Sequence, residues 1–192
     1  MGRRLELICA NLKAQTSLCL QPLIMKGYVS RKVELKRFYL THQLYFITSV
    51  IENREPILIN ENYAQILLRF LDQYSKKFST GIIAFVVLPD HMHLLISPKT
   101  NRYSISDFMK SVKGKSAIEI NKITGRKGRL WQHQFLDHVV RSNEDYRVHI
   151  EYIHYNPIKH GLCDEPEDYR WSSYRSYAFN HDVGVTIAKM PI

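Results

Sequence analysis

Ile82-Ile83-Ala84-Phe85-Val86-Val87-Leu88-Pro89-Asp90-His91-Met92-His93-Leu94-Leu95-Ile96-Ser97 is the stretch whose reading decides the fold. Seven apolar residues run from Ile82 to Leu88, Pro89-Asp90 cuts them, and a second apolar run covers Met92 to Ile96. Apolar runs of this length, bounded by a turn pair, predict two buried strands joined tightly. His91 and His93 stand at the start of the second strand. Side chains alternate faces along a strand, so these two imidazoles share a face. A pair so placed is able to grip one metal ion. Two histidines on an ordinary sheet surface would give the same pattern.

Working outward, Leu44 to Val50 is rich in aromatic and β-branched residues and reads as an earlier strand. Asn60-Glu61-Asn62 is able to cap a helix. Ile66, Leu67, Phe70, Leu71, Tyr74 and Phe78 then recur at helical spacing over Tyr63 to Phe78. Ser79-Thr80-Gly81 stops that helix. After Pro98, Ser104 or Ser106 opens a second helix carrying Phe108, Val112, Ile118 and Ile120, closed by the basic turn Gly125 to Arg129. Much of Leu130 to Val140 reads as a fourth strand. Ser142-Asn143-Glu144-Asp145 starts a third helix, with acids suited to its dipole. That helix passes through Ile150 and Ile153 and ends near Asn156-Pro157 or a turn later, with Gly161 near its stop. The order β-α-β-β-α-β-α predicts an α+β, ferredoxin-like antiparallel sheet with helices on one face.

The 192 residues are enough for one domain with an arm. Lys and Arg number 27 against 18 Asp and Glu, a formal charge of +9, which points to a polyanionic partner. The excess is concentrated: Lys99 to Arg129 holds nine basic residues and two acidic ones. Cys9, Cys19 and Cys163 make no Cys-x-x-Cys knuckle and no disulfide framework, which suits a reduced cytoplasm. No apolar run reaches membrane-span length, and the first residues make a poor secretory signal. Residues 1–27 lack strand alternation and read as an extension, either flexible or begun at a mis-called start codon. Leu5, Ile8 and Leu12 would equally suit a short packed helix. Residues 28–192 read as a single domain with an aromatic tail through Tyr169, Trp171, Tyr174, Tyr177 and Phe179.

On the third helix Tyr152 and Asn156 are four residues apart, one turn apart on one face, and His149 lies a turn earlier. If that helix docks over the His91/His93 strand, a hydroxyl, an amide oxygen and two imidazoles converge. Without further context Tyr152 also reads as a packed aromatic and Asn156 as a helix-end residue.

Four motifs in order resemble one family. They are Leu-Pro-Asp-His91-Met-His93-Leu-Leu, Leu-Trp131-Gln-His-Gln-Phe135, Tyr152-Ile-His-Tyr-Asn156-Pro157-Ile-Lys-His-Gly161-Leu, and Trp171-Ser-Ser-Tyr174. They are similar to those of the REP-associated tyrosine transposases, in the single-tyrosine HUH superfamily, over roughly residues 28 to 179. The resemblance implies that Tyr152 is the nucleophile and that His91, His93 and Asn156 hold a divalent metal, Mg²⁺ or Mn²⁺. Imidazoles suit Mn²⁺ better. It implies cleavage and transfer of single-stranded hairpin (REP-like palindromic) DNA through a 5′-phosphotyrosine, in a bacterial cytoplasm at the nucleoid, by a monomer or dimer with no membrane partner. Lys110, Lys113, Lys115, Arg126, Lys127 and Arg129 are the expected DNA contacts, because phosphates need positive charge. The competing reading is a module that binds hairpin DNA or RNA without cutting it. A third is a metal-dependent hydrolase in which Tyr152 is only structural.

Overall fold

A computed structural model describes residue 41 and residues 43–188, all within one compact unit. The expected extension over residues 1–27 lies outside the described residues. The regular elements are β1 (Leu44–Val50), α1 (Glu61–Lys77), β2 (Thr80–Val87), β3 (His91–Pro98), α2 (Ile105–Thr124), β4 (Leu136–Val140), α3 (Asn143–Lys159) and a short α4 (Tyr174–Phe179). The four strands form one sheet in the order β2-β3-β1-β4, with every neighbouring pair antiparallel. This is the ferredoxin-like arrangement that the element order predicts.

Local chemistry sets the helix boundaries. The Asn60 side chain accepts from the Asn62 backbone N–H, at 3.0 Å, at the start of α1. Ser104 and Asp107 form a reciprocal capping box on α2, and Ser142 accepts from the Asp145 N–H on α3. Each satisfies a donor that the first helical turn leaves unpaired. Gly125, with φ of 68°, ends α2 in the left-handed conformation that glycine adopts without strain.

Strand alternation divides the core in two. Tyr45, Ile47, Phe85, Met92, Leu94 and Ile96 pack with Leu67 and Leu71 of α1 and Phe108, Val112 and Ile120 of α2. Leu44, Ala84, Val86, Leu95 and Val140 pack with Ile153 of α3, joined by Phe46, Tyr146 and Ile150. The two crossover helices therefore share one face, as the element order predicts for them. The expectation of helices on one face does not extend to the third helix, which instead covers the opposite face, because its Ile150 and Ile153 pack on the second apolar set of the strands, where His91 and His93 also point.

The fourth strand is shorter than the pattern from Leu130 suggests. Trp131 makes only an isolated bridge with Ile51, and its indole N–H donates to Ser116 Oγ at 3.1 Å. The carbonyls of Gln132, His133 and Gln134 turn toward the Lys113 ammonium, at 2.7, 3.4 and 3.4 Å. A backbone wrapped around a cation does not run as a strand, so pairing begins only at Leu136.

The aromatic tail closes the free edge of β2. Val87 N–H donates to the Trp171 carbonyl, Ser173 N–H to Phe85, and Ala188 N–H to Ile82, each at 2.8–2.9 Å. The Tyr169 and Tyr177 hydroxyls donate to the Val87 and Ile83 carbonyls. An open apolar edge invites pairing with other chains, and this tail removes it. No described helix is long and apolar enough to cross a membrane.

Candidate active site

The Pro89-Asp90 turn sets where β3 begins, and hence which face the histidines take. Leu88 N–H donates to the His91 carbonyl across the turn, and Ile51 N–H to the Asp90 carbonyl. From there His91, His93 and Leu95 face α3, while Met92, Leu94 and Ile96 face the other helices. The two imidazole rings are 4.9 Å apart, nearly perpendicular.

Each histidine is oriented through Nδ1. His93 lies opposite Thr48 in the β1–β3 ladder, and the Thr48 hydroxyl is 2.8 Å from its Nδ1. The Asp90 carboxylate bonds His91 Nδ1. Partners of this kind hold a ring with Nε2 presented outward, as metal-bound histidines usually are. His93 Nε2 is buried without a hydrogen-bond partner. Burial, then the nearby His91, His160 and His149, holds the His93 pKa well below the usual imidazole range. The ring is therefore neutral, the form that ligates metals.

Helix α3 delivers the remaining groups. The Tyr152 ring lies 5.2 Å from that of His93 and is half-buried. Asn156, one turn on, is 1% exposed, and neither its amide oxygen nor its nitrogen has a hydrogen-bond partner. An unpaired buried amide costs about 1–3 kcal/mol, so such groups call for an explanation. The bare Nε2 of His93 and the unpaired amide oxygen of Asn156 suit a divalent ion that His91, His93 and Asn156 would hold.

Sequence reasoning missed several neighbours. Phe46 stacks on His93 at 5.2 Å and on His149 at 4.3 Å, and Tyr152 meets its edge. Lys159 places its ammonium 5.5 Å from the Tyr152 ring centre, and the His160 ring is 5.5 Å from that of His91. Lys159 is seven residues after Tyr152, two helical turns on, so the spacing alone would have found it. Phe46 and Thr48 required the strand register, which the sequence does not display. His154, between the two motif residues, points elsewhere, to Ser173 Oγ at 2.8 Å.

The expected DNA contacts divide. Lys110, Lys115, Lys127 and Arg129 are exposed. Lys113 is instead buried against the 132–134 carbonyls, and Arg126 makes a bidentate pair with Glu55. Helix α2 also lies on the face of the sheet opposite the paired imidazoles.

A ferredoxin-like antiparallel sheet with two imidazoles facing a helix-borne tyrosine defines a class, and the family model described as "Transposase IS200 like" matches residues 39–156. The chain belongs to the IS200-like transposase family. It is 30% identical over 141 residues to the REP-associated tyrosine transposase of Escherichia coli (strain K12), covering 73% of this chain and 82% of that protein. It is 29% identical over 134 residues to the ISDra2 transposase TnpA of Deinococcus radiodurans, covering 65% and 91%. A solved REP-associated tyrosine transposase bound to a REP hairpin matches with a TM-score of 0.65 at 27% identity, over 83% of this chain and 94% of that one.

Proposed function

We propose that this chain is a single-stranded DNA endonuclease and strand transferase acting on REP-like hairpins, at the nucleoid of a bacterial cytoplasm, with Tyr152 as nucleophile. The observation that carries the reading is the unpaired buried amide of Asn156 together with the bare Nε2 of His93, beside Tyr152. The family supplies the reaction class, and the related hairpin-bound structure supplies the kind of DNA.

His91, His93 and Asn156 would hold a divalent ion, Mn²⁺ or Mg²⁺, with Mn²⁺ better matched to imidazole. When bound, such an ion polarises a phosphodiester and offsets the charge that builds on its oxygens. The protein supplies the rest. Thr48 and Asp90 fix the two rings. Phe46 packs against His93 and the Tyr152 edge, which limits where the phenol sits. The Tyr152 oxygen attacks phosphorus as its proton passes to solvent, the bond to the 3′ oxygen breaks, and that oxygen takes up a proton from solvent. The products are a 5′-phosphotyrosine and a free 3′-OH. Lys159, beside the ring, offers a cation to the phosphate that becomes attached there. Reversal with another 3′-OH transfers the strand without ATP.

The test is a denaturing gel of protein with labelled hairpin DNA, with and without Mn²⁺. Wild type forms a covalent adduct, and Tyr152→Phe binds the DNA but forms none. An adduct on the phenylalanine variant moves the nucleophile elsewhere, with the exposed Tyr155 first in line. Binding without any adduct from wild type leaves the non-catalytic hairpin module, and cleavage without an adduct leaves the hydrolase.

A further inference from the structure

A second cluster of ligand-type side chains lies beside the candidate active site and is separate from it. His138 comes from β4, Asp145 from the first turn of α3, and His149 from the next turn. Their ligand atoms all lie within 4.8 Å of one another. His138 stands opposite Phe46 in the β1–β4 ladder, so both project toward α3. Asp145 and His149 are four residues apart, which puts them on one helix face. The two imidazoles approach the same carboxylate from different sides. His138 Nε2 is 3.1 Å from Oδ2 and His149 Nε2 is 3.1 Å from Oδ1. Oδ2 also accepts the Arg141 backbone N–H at 3.1 Å.

The His149 approach is close but makes no hydrogen bond. Its Nε2 is buried and not aligned to donate to the carboxylate it faces. A buried imidazole nitrogen that faces a carboxylate oxygen without a hydrogen bond is an arrangement that a cation held by both would satisfy. The ring has little freedom to turn away, because Phe46 stacks on it at 4.3 Å with planes 13° apart.

We infer that His138, Asp145 and His149 form a zinc site that fastens β4 to the first two turns of α3. Two imidazoles and one carboxylate are a donor set that zinc takes with one position left for water. Nitrogen donors favour it over magnesium or calcium, which prefer all-oxygen surroundings. The ligands come from a sheet edge and from the helix that carries Tyr152, so an ion here clamps that helix at its start. The Phe46 ring stands between this cluster and His93, which keeps the two sets of ligands apart.

The experiment uses the full chain, stripped with chelator and titrated with zinc chloride by calorimetry. The background is His91→Ala/His93→Ala, so any remaining tight site is not the candidate active site. The expected result is one equivalent bound and a higher melting temperature, since an ion that binds only the folded chain stabilises it. Adding His138→Ala should weaken that binding at least about tenfold and abolish the rise in melting temperature. His138 is exposed on an edge strand, so its removal leaves the core intact. Asp145→Asn, which keeps the side-chain shape, should weaken zinc binding likewise. Zinc binding equally tight with and without His138 and Asp145, or no zinc bound by the background variant, overturns the site. Neither outcome touches the Tyr152 reading, which the covalent-adduct gel tests separately.

Discussion

Strand β3 serves two faces that are built in opposite ways. Toward α1 and α2 it sends Met92, Leu94 and Ile96 into a continuous apolar layer in which each is fully buried. Toward α3 it sends His91 and His93, which meet Phe46, Thr48, Tyr152 and a buried amide with no partner. Residues one step apart on a single strand thus do unlike work. The first face gains stability from every apolar neighbour, while the second keeps polar groups that water would serve better. A site built to take a ligand would carry this cost, and the apolar layer offsets it.

The largest effect should come from the apolar face. Leu94 is fully buried, so Leu94→Ala opens a cavity in the layer and should cost about 2–5 kcal/mol in a denaturant melt. Far less loss would mean that the α1/α2 layer is loosely packed and the contrast between faces is weak.

The next effect belongs to the α3 side and depends on pH. His154 is buried against Ser173, and burial pushes its pKa down to about 4. In the unfolded chain the ring protonates near about 6.5. Between these values the unfolded chain binds a proton that the folded chain does not. Stability therefore falls as pH drops through this window, by up to about 3 kcal/mol, and levels off below it. His93, also lowered by burial, adds in the same direction. Melts from pH 7 to pH 4 should show the fall, and His154→Gln should flatten it. An equally steep profile in that variant would place the acid sensitivity elsewhere.

Asn156→Leu sharpens the comparison by making the second face resemble the first. It keeps the approximate volume and removes two unpaired amide atoms, so the melt should improve by about 1 kcal/mol. Metal-dependent cleavage should vanish. A clear loss of stability instead would show that the amide is held by partners of its own.

The smallest effect concerns charge on the α1/α2 side. Replacing Lys110 and Lys115 with alanine should lower the slope of log affinity against log salt by about one for each phosphate no longer neutralised. An unchanged slope would confine hairpin DNA to the α3 side. Lys113 does not belong in that test, because its ammonium holds the 132–134 loop.

What could be read from the sequence was local. Alternation placed His91 and His93 on one face, i, i+4 spacing joined Tyr152 to Asn156, and β1 falls over Leu44–Val50 as its composition predicts. What could not be read depends on pairings between distant segments. Thr48 reaches His93 through a strand register. Arg126 finds Glu55 across 71 positions of chain. Lys113 looks in sequence like its exposed neighbours Lys110 and Lys115, and only the loop it holds turns it inward. Charge counts over a segment say nothing of which way each side chain points.

The cover over β2 has a consequence for biosynthesis. Ser173, which bonds the Phe85 backbone, is made 88 residues after it. Until the ribosome reaches that segment, an apolar strand lies at the sheet margin with unpaired N–H and C=O groups. A nonsense codon shortly before Trp171 would leave α3 and every proposed catalytic residue in place. The product would nonetheless be a sticky chain, prone to join its neighbours on a crowded polysome through the bare margin of β2.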